Sequence, residues 1–393
     1  MAVAALPYLD LTAPGFSTRS DAVLAARAAG PLARTPFGFA ILRHREAGQA
    51  LRDRRLRQGS HDWPRKVGLI GAFADFWMRS IISREGPDHK RLRQIAQAAL
   101  AEPHILALCP TFEACAAELL AALPEEVEFV HDFTEPFAGR AITALLGLPT
   151  VDAPALARDA STLGLAMGLD ARTHEQAVNA AAQRLDKLAA TLIARATPDP
   201  EAPDFTGRLL HAATSLGARD EQALRDLVVI SIFGGVDTTR AQLAFAAGLF
   251  ADHPAHWTRL RTEPDHIQDA LAEVIRTRPT TTWATRETIE AIEFAGITIP
   301  AGTTIHILVH ATSTDPAVDD GTFDPFRPAK LHFGFGGGAH HCLGHFVART
   351  DMECALRVLL RQVARIERTG PPDDLPDSGN TSPRALPLRL VRG

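Results

Sequence analysis

The chain has 393 residues, of which 46% are apolar and 22% are charged. This length excludes a small disulfide-stapled scaffold, and this composition excludes a chain that is disordered throughout. The formal net charge is −5, so the sequence offers no basic surface for the phosphates of a nucleic acid. We therefore expect a globular protein without a nucleic-acid partner.

Predicted helices occupy most of the first two thirds of the chain, where alanine and leucine recur at helical spacing between Gly or Pro residues. In chain order these helices are 20–29, 88–100, 106–123, 137–146, 174–195 and 209–216. The longest predicted helix begins after Asp220, a suitable N-cap, and ends near Ala251, just before His253 and Pro254. Its apolar centre, residues 227–233, indicates a buried helix that crosses the domain over about 48 Å.

Predicted strands are short and few. They are 38–42, 292–294, 297–299, 303–309 and 387–391. The Pro- and Asp-rich segments 197–204 and 370–383 predict surface loops, and no repeat or low-complexity tract separates folding units. The sequence therefore predicts one mainly α domain over residues 1–393, with minor β structure.

The cysteines argue against an oxidising compartment, because they form no Cys-x-x-Cys pair and are too few for a disulfide framework. They are Cys109, Cys115, Cys342 and Cys354. No window approaches 18 uninterrupted apolar residues, and the apolar start of the chain lacks the basic flank of a signal peptide. We therefore expect a cytoplasmic protein with no membrane partner.

The densest chemistry lies in residues 333–344, which contain five glycines, two histidines and one cysteine. A dinucleotide-binding turn is one interpretation, because Gly334, Gly336 and Ala339 fit G-x-G-x-x-A and Glu353 lies downstream. We disfavour it, since no apolar strand precedes the glycines and too little chain follows to complete such a sheet.

A zinc site is a second interpretation of the same segment, with His340, His341, Cys342 and His345 as ligands. Tetrahedral zinc normally takes spaced ligand pairs from two chain segments, so these contiguous residues fit it poorly. The third interpretation makes Cys342 the axial thiolate of a haem, with glycines that let backbone amides approach the sulfur.

With this third interpretation the chain resembles the cytochrome P450 family, whose ligand signature is F-x-x-G-x-H-x-C-x-G. The matching residues are Phe335, Gly336, Gly338, His340, Cys342 and Gly344. The resemblance implies haem b as the cofactor, Cys342 as the axial iron ligand and Phe335 beside the haem. It also implies a mainly α, single-domain cytochrome P450-like fold with a long central helix and small sheets.

Glu273 and Arg276 form an E-x-x-R pair, which by itself suits an ordinary exposed ion pair one helical turn apart. The resemblance makes this pair structural and joins to it Arg327, in the sequence FDPFRP. We carry these three residues over as scaffold and not as catalysts.

A haem brings two propionates, whose negative charges arginine forks or histidines neutralise. His89 and Arg93 match an H-x-x-x-R helix of the family, Arg286 matches a strand arginine, and His340 completes the set. Taken singly, each residue suits a solvated surface position. The resemblance implies that the four bind the propionates.

On the long helix, Gly234, Asp237 and Thr238 fit the family pattern [A/G]-G-x-[D/E]-T. Gly234 leaves clearance over a flat ring, and Thr238 can bond the carbonyl four residues back, which we expect to open the helix locally. Oxygen activation needs protons, and a hydroxyl beside a carboxylate can organise their delivery. A buried helix with tolerated glycines is the alternative for this segment.

The resemblance implies a haem-dependent monooxygenase that inserts one atom of O2 into an apolar small organic substrate, with hydroxylation as the default outcome. Electrons come from separate proteins, a ferredoxin or flavodoxin with its reductase. Candidates for docking such a carrier are Lys90, Arg91, Lys330 and Arg349. By position in the resembled fold, the pocket residues are Trp77, Met78, Met167, Phe233 and Trp283.

Two alternative functions remain open. A peroxide-driven peroxygenase shares the fold, but such relatives generally lack the acid–alcohol pair that Asp237 and Thr238 supply. A non-catalytic haem-binding sensor needs no proton relay at all.

Overall fold

The computed structural model describes residues 3–319, 321–328 and 330–393. Within these ranges the helices are α1 (Asp21–Ala29), α2 (His44–Ala50), α3 (Trp63–Lys66), α4 (Ala72–Arg79), α5 (Gly86–Ala99), α6 (Glu102–Leu106), α7 (Cys109–Ala122), α8 (Glu135–Leu146), α9 (Ala153–Gly164), α10 (Glu175–Arg195), α11 (Phe205–Ser215), α12 (Glu221–Asp252), α13 (Pro254–Thr262), α14 (Ile267–Thr277), α15 (Val309–Ser313) and α16 (His345–Gln362). The strands are β1 (Leu32–Thr35), β2 (Gly38–Ile41), β3 (Leu56–Gln58), β4 (Glu126–Glu128), β5 (Trp283–Thr288), β6 (Ile292–Phe294), β7 (Ile297–Ile299), β8 (Thr304–Leu308), β9 (Val363–Arg368), β10 (Asp373–Asp374), β11 (Pro383–Ala385) and β12 (Pro387–Arg392).

The strands form small sheets, as the sequence predicts. The largest has the order β1-β2-β8-β5-β3, in which β2 and β8 are parallel and the other neighbours are antiparallel. A second sheet has the order β4-β12-β9, and β6–β7 and β10–β11 are separate pairs. The mainly α fold class with minor β structure is confirmed.

The long helix α12 links the two largest hydrophobic cores. Asp220 caps it, because its carboxylate accepts from the amides of Gln222 (3.1 Å) and Ala223 (3.2 Å). Its first half, from Leu224 to Val236, packs in a core with α8, α9 and α10, whereas the second half packs in a core with α14 and α16. The predicted buried central helix is therefore present, within one residue of its expected ends.

Several local features differ from the predictions. The predicted helix 106–123 is interrupted at Ala107 and Leu108, and α7 restarts with Pro110 in its first turn. The predicted strands lack β1, β3, β4, β5, β9, β10 and β11. Strand β5 is missed because its sequence, WATRET, alternates poorly between apolar and polar residues. It lies between β3 and β8 inside the largest sheet and buries the charged residues Arg286 and Glu287.

The stretch Glu102–Ala122 has the length and mean hydropathy, 1.6, of a membrane-spanning helix. It comprises α6 and α7, and Phe112, Cys115 and Leu120 of α7 are buried in the core shared with α16. One such stretch is weak support for a membrane span.

A buried ion network surrounds Arg276. Its guanidinium donates two hydrogen bonds of 2.7 Å to Glu273 and lies 2.8 Å from the carboxylate of Asp319. The side chain of Arg327 reaches the same two acids, at 3.4 Å and 3.1 Å. Arg276 is fully buried, so the carboxylates are the partners that offset the cost of removing its charge from water.

The same arginine ties this network to residues 333–344. Arg276 donates to the carbonyl of Ser313 (3.2 Å), whose hydroxyl accepts from the amide of Phe333 (3.1 Å). Phe333 is the first residue of the glycine- and cysteine-containing segment. The network therefore fixes where that segment begins.

We expect Arg276→Met to lower the free energy of unfolding by about 3–5 kcal/mol, because it leaves Glu273 and Asp319 buried without their main partner. Urea unfolding of the purified protein measures this change. The matched control is Arg91→Met, which removes an exposed pair with Asp88 at the same i,i+3 spacing. It should cost less than about 1 kcal/mol. Equal losses in the two variants would show that the buried network contributes no more than a surface pair.

Candidate active site

A cavity of about 480 Å³ lies between α12, strands β5 and β8, and residues 334–344. Its walls contain most of the site residues that the sequence predicts. They are Trp77, His89, Arg93, Met167, Phe233, Gly234, Thr238, Trp283, Arg286, Phe335, His340 and Cys342. The structure therefore brings together residues that are up to 265 positions apart in the chain.

Two predicted site residues, Met78 and Asp237, are not among the described residues that line this cavity. Met78 follows Trp77 by one position, which rotates its side chain about 100° around α4 and away from the cavity. The carboxylate of Asp237 accepts a 2.6 Å hydrogen bond from Arg240 and faces Gly164 of α9. The placement of Met78 in the pocket is therefore corrected, and Asp237 lies behind the wall.

The segment that carries Cys342 is a tight loop closed by its own backbone. The amide of Cys342 donates to the carbonyl of Phe335 (2.8 Å), and the amide of Gly336 donates to that of Phe333 (2.8 Å). Gly338 has a φ of +68°, and a Cβ there would collide with the carbonyl oxygen of Leu51. Glycine is thus required for the loop to pack against the end of α2.

The Cys342 sulfur lies in the cavity wall, three residues before α16 begins. Burial raises the pKa of the Cys342 thiol, while a hydrogen bond from the Gly344 amide and the charge of Arg93 act in the opposite direction. A positive centre at the sulfur would favour the thiolate, which is the form that ligates a metal.

Basic side chains gather on one part of the wall. The rings of His89 and His340 contact each other with centroids 4.2 Å apart and an interplanar angle of 34°, and His340 contacts the Glu85 carboxylate at 3.0 Å. Burial lowers the pKa of Arg93, and it lowers the pKa of Arg286 to about 10. Arg286 is thus held away from water, and Arg93 is half-buried, with little anionic compensation for either.

Arg93 and Arg286 differ in how the protein holds them. Arg286 donates to the carbonyl of Gly337 (3.2 Å) and to the side chain of Gln58 (3.1 Å), so it joins β5 to the Cys342 loop. The Arg93 guanidinium has no hydrogen-bond acceptor within the described parts of the chain. Arg93 is therefore available to an anionic group inside the cavity.

The α12 side of the cavity is open over Gly234. No described atom lies within 4 Å of a Cβ placed on this residue. The Thr238 hydroxyl donates a 2.6 Å hydrogen bond to the Gly234 carbonyl, as predicted. The predicted opening of the helix is not observed, because α12 runs without interruption from Glu221 to Asp252.

These features fit a haem. Cys342 offers a sulfur for the iron, the space over Gly234 accepts a flat ring, and half-buried Arg93 and buried Arg286 suit two propionates. A zinc site fits less well. The three possible metal-binding groups that converge within 4.8 Å, in the part of the chain described, are His61, Asp62 and Glu287.

The dinucleotide-binding interpretation is also inconsistent with the fold. No strand occurs among the described residues between α15 and Gly334, so the glycines do not follow a buried strand as that turn requires. The structure therefore favours the haem-thiolate interpretation over both rivals.

Asp351 is a cavity residue that the sequence analysis missed. It is buried, its Oδ2 lies 3.4 Å from the Thr239 hydroxyl, and its Oδ1 has no hydrogen-bond partner among the described residues. A sequence signal exists, because Asp351 falls at helical spacing on a stripe that includes Val347, Ala355 and Val358 of α16. A lone acid on an apolar stripe indicates a buried carboxyl group.

The fold and the cavity together define a haem-thiolate protein. The family description "Cytochrome P450" matches residues 162–383. The chain is 33% identical to the luteothin monooxygenase of Streptomyces thioluteus over 98% of this chain and 96% of the relative. It is 29% identical to the mycinamicin IV hydroxylase/epoxidase of Micromonospora griseorubida over 86% of each.

The fold matches solved structures as well. The epothilone B-bound cytochrome P450epoK superposes with a TM-score of 0.87 at 21% identity, over 98% of this chain and 99% of that chain. The chain belongs to the cytochrome P450 family and resembles its bacterial members. It is a cytochrome P450 monooxygenase, and its cofactor is haem b.

The buried carboxyl group of Asp351 should make the stability of the protein depend on pH. Burial raises the pKa of this carboxyl group well above its usual range, so the folded protein holds the proton more tightly than the unfolded chain does. Its contribution to stability is complete at low pH and is lost as the pH rises from about 4 through the folded-state pKa. We expect Asp351→Asn, which cannot ionise, to gain melting temperature relative to the wild type between about pH 5 and pH 8.

Thermal unfolding of the holoprotein at the two pH values measures this gain. Asp152→Asn is the control, because Asp152 is exposed and its carboxylate is solvated in both states. A difference between Asp351→Asn and the wild type that is the same at both pH values would contradict the prediction.

Proposed function

We propose that this P450 inserts one atom of O2 into an apolar small organic molecule, most simply as a hydroxylation. The observation that carries the proposal is the cavity that contains the Cys342 thiol, the clearance over Gly234 and the Thr238 hydroxyl. All three features serve oxygen chemistry at one place. A carrier or sensor would need the first two alone.

We propose Cys342 as the axial ligand, Phe335 as a contact beside the ring, and His89, Arg93, Arg286 and His340 as the propionate-binding residues. When bound, the haem supplies the activation of O2, which a cysteine thiolate assists by donating electron density. The protein's own part is to orient the substrate, exclude bulk water and hold protons. The proposed scaffold residues, which hold the start of the Cys342 loop in place, are Glu273, Arg276 and Arg327.

Thr238 and Asp237 are the proposed proton relay. The Thr238 proton is engaged by the Gly234 carbonyl, so the oxygen lone pairs remain to accept a hydrogen bond from water in the cavity. Asp237 is paired with Arg240, whose guanidinium also donates to Ser382 (3.1 Å). To take part in the relay, the Asp237 carboxylate would turn from Arg240, take up a proton from bulk water and pass it to water on the Thr238 side of α12.

The substrate proposal rests on the apolar part of the wall. The cavity is lined by Ile81, Ile142, Leu145 and Val347, next to the predicted pocket residues Trp77, Met167, Phe233 and Trp283. The two curated relatives act on luteothin and on mycinamicin IV by their names. Luteothin is therefore the first compound to assay.

The remaining proposals concern the setting of the reaction. Four exposed basic residues are proposed to dock an acidic ferredoxin or a flavodoxin, each with its reductase. They are Lys90, Arg91, Lys330 and Arg349.

We further propose a cytoplasmic location and a single domain over residues 1–393. The way α12 packs against elements from both halves of the chain supports a single domain.

The axial ligand is tested by spectroscopy. The reduced holoprotein exposed to CO should show the red-shifted Soret band of a thiolate-ligated haem. Cys342→Ser should lose that band, whereas Cys115→Ser, which changes a buried cysteine of α7 outside the cavity wall, should keep it. A histidine-type spectrum in the wild type would overturn the assignment.

The proton relay is tested by measuring how tightly NADH consumption is coupled to product formation. Thr238→Ala should divert most of the consumed NADH from product to hydrogen peroxide in an oxygen-consumption assay with surrogate redox partners, because a group that holds the second proton donor is lost. Thr191→Ala removes an equivalent, exposed bond to the carbonyl four residues back in α10 and should retain the wild-type ratio. Identical product yield and peroxide release in Thr238→Ala and wild type would contradict the relay.

A further inference from the structure

One part of the cavity wall is polar and comes from the sheet. The antiparallel register of β5 and β8 places Thr285 opposite His306, and Trp283 two residues earlier lies on the same face. The indole of Trp283 packs edge-on against the His306 ring, with centroids 5.4 Å apart and an interplanar angle of 84°. Both residues line the cavity.

His306 is buried, with 7% of its surface exposed, and its Nδ1 has no hydrogen-bond partner among the described residues. Burial lowers the pKa of this histidine to about 4, and the charge of Lys66 acts in the same direction. The ring is therefore neutral at physiological pH and carries one proton on one of its nitrogens.

The surroundings select the nitrogen that carries the proton. A proton on Nδ1 would bury an N–H group without an acceptor, which is more costly than leaving a lone pair there. The proton therefore belongs on Nε2, which is not among the fully buried side-chain atoms that lack a partner. His306 thus presents an N–H donor to the cavity.

Trp283 supplies a second donor. The indole nitrogens of the other two tryptophans in the cavity wall are already engaged, Trp63 by the Ala166 carbonyl and Trp77 by the Ser60 carbonyl, each at 2.7 Å. The Trp283 N–H has no such acceptor in the described chain, and the residue is only partly buried. Unpaired donors that face one cavity bond water when it is empty and can take an acceptor from a ligand that fills it.

We propose that His306 and Trp283 form a subsite for a neutral acceptor oxygen of the substrate, such as the carbonyl of a ketone, ester or amide. The proposal rests on the proposed function, because it assumes that the substrate occupies this cavity. It refines that function: the substrate has an apolar body and at least one hydrogen-bond acceptor. The acceptor turns toward the sheet and thereby fixes which part of the body faces the Cys342 loop.

A carboxylate suits this subsite less well than a carbonyl. The nearby cation is Lys66, and its ammonium group is already paired with Asp62 (3.1 Å) and Glu287 (3.0 Å). A bound carboxylate would thus be removed from water without a free counter-charge. A carbonyl carries no such cost.

The test uses the ferric holoprotein and two pairs of compounds that differ in one carbonyl, 9-fluorenone with fluorene and α-tetralone with tetralin. Soret-shift titration gives the affinity of each. In the wild type, each ketone should bind about 10-fold more tightly than its hydrocarbon, because two hydrogen bonds are added. His306→Phe should lose most of that preference while its affinity for the hydrocarbons stays within about twofold.

Two further variants make the result decisive. Trp283→Phe keeps an aromatic ring but removes the N–H, and should lower the ketone preference even if His306→Phe fails to fold. Trp77→Phe is the matched control, since its N–H is already bonded to Ser60, and should change ketone and hydrocarbon affinities equally.

The proposal is overturned if the wild type binds ketones no better than hydrocarbons, binds neither, or loses its preference equally in Trp77→Phe. The thiolate-type CO spectrum of the same preparation separates this failure from failure of the proposed function. With that spectrum present and hydrocarbon binding intact, the haem-thiolate function stands and the carbonyl subsite alone is wrong.

Discussion

The buried charge of Arg276 determines much of the architecture around the site. Removing a guanidinium from water is costly, so Glu273 and Asp319 must be held against it, and these residues come from α14 and from the segment after α15. Because Arg276 also bonds Ser313, whose hydroxyl receives the Phe333 amide, the start of the Cys342 loop depends on the same charge. An electrostatic requirement far from the sulfur thus sets the position of the sulfur.

The cavity divides its polar groups by charge. The wall around the Cys342 loop holds Arg93 and Arg286, whose burial leaves positive charge for an anionic partner. The sheet wall instead holds neutral donors, His306 and Trp283, next to a lysine whose charge is already neutralised. Electrostatics therefore separate a part of the cavity suited to anionic groups from a part lined by neutral donors.

Local signals explain what could be predicted from the sequence. The N-cap at Asp220 and the uninterrupted apolar run after it define α12, and the spacing around Cys342 defines the ligand loop. Strand β5 and the burial of its charged residues Arg286 and Glu287 carry no comparable local pattern. They depend on which elements become neighbours in the fold, and propensity and periodicity do not contain that information.

Strand β5 connects the two parts of the cavity. Arg286 reaches the Gly337 carbonyl of the Cys342 loop, while its neighbour Thr285 pairs across the sheet with His306. Successive residues of a strand point to opposite sides, so one short segment supports the wall at the Cys342 loop with one residue and the wall at His306 with the next. A shift of β5 along its axis would therefore move both walls together. Because β3 and β8 flank β5 on either side, their hydrogen bonds resist that shift and keep the two walls in a fixed relation.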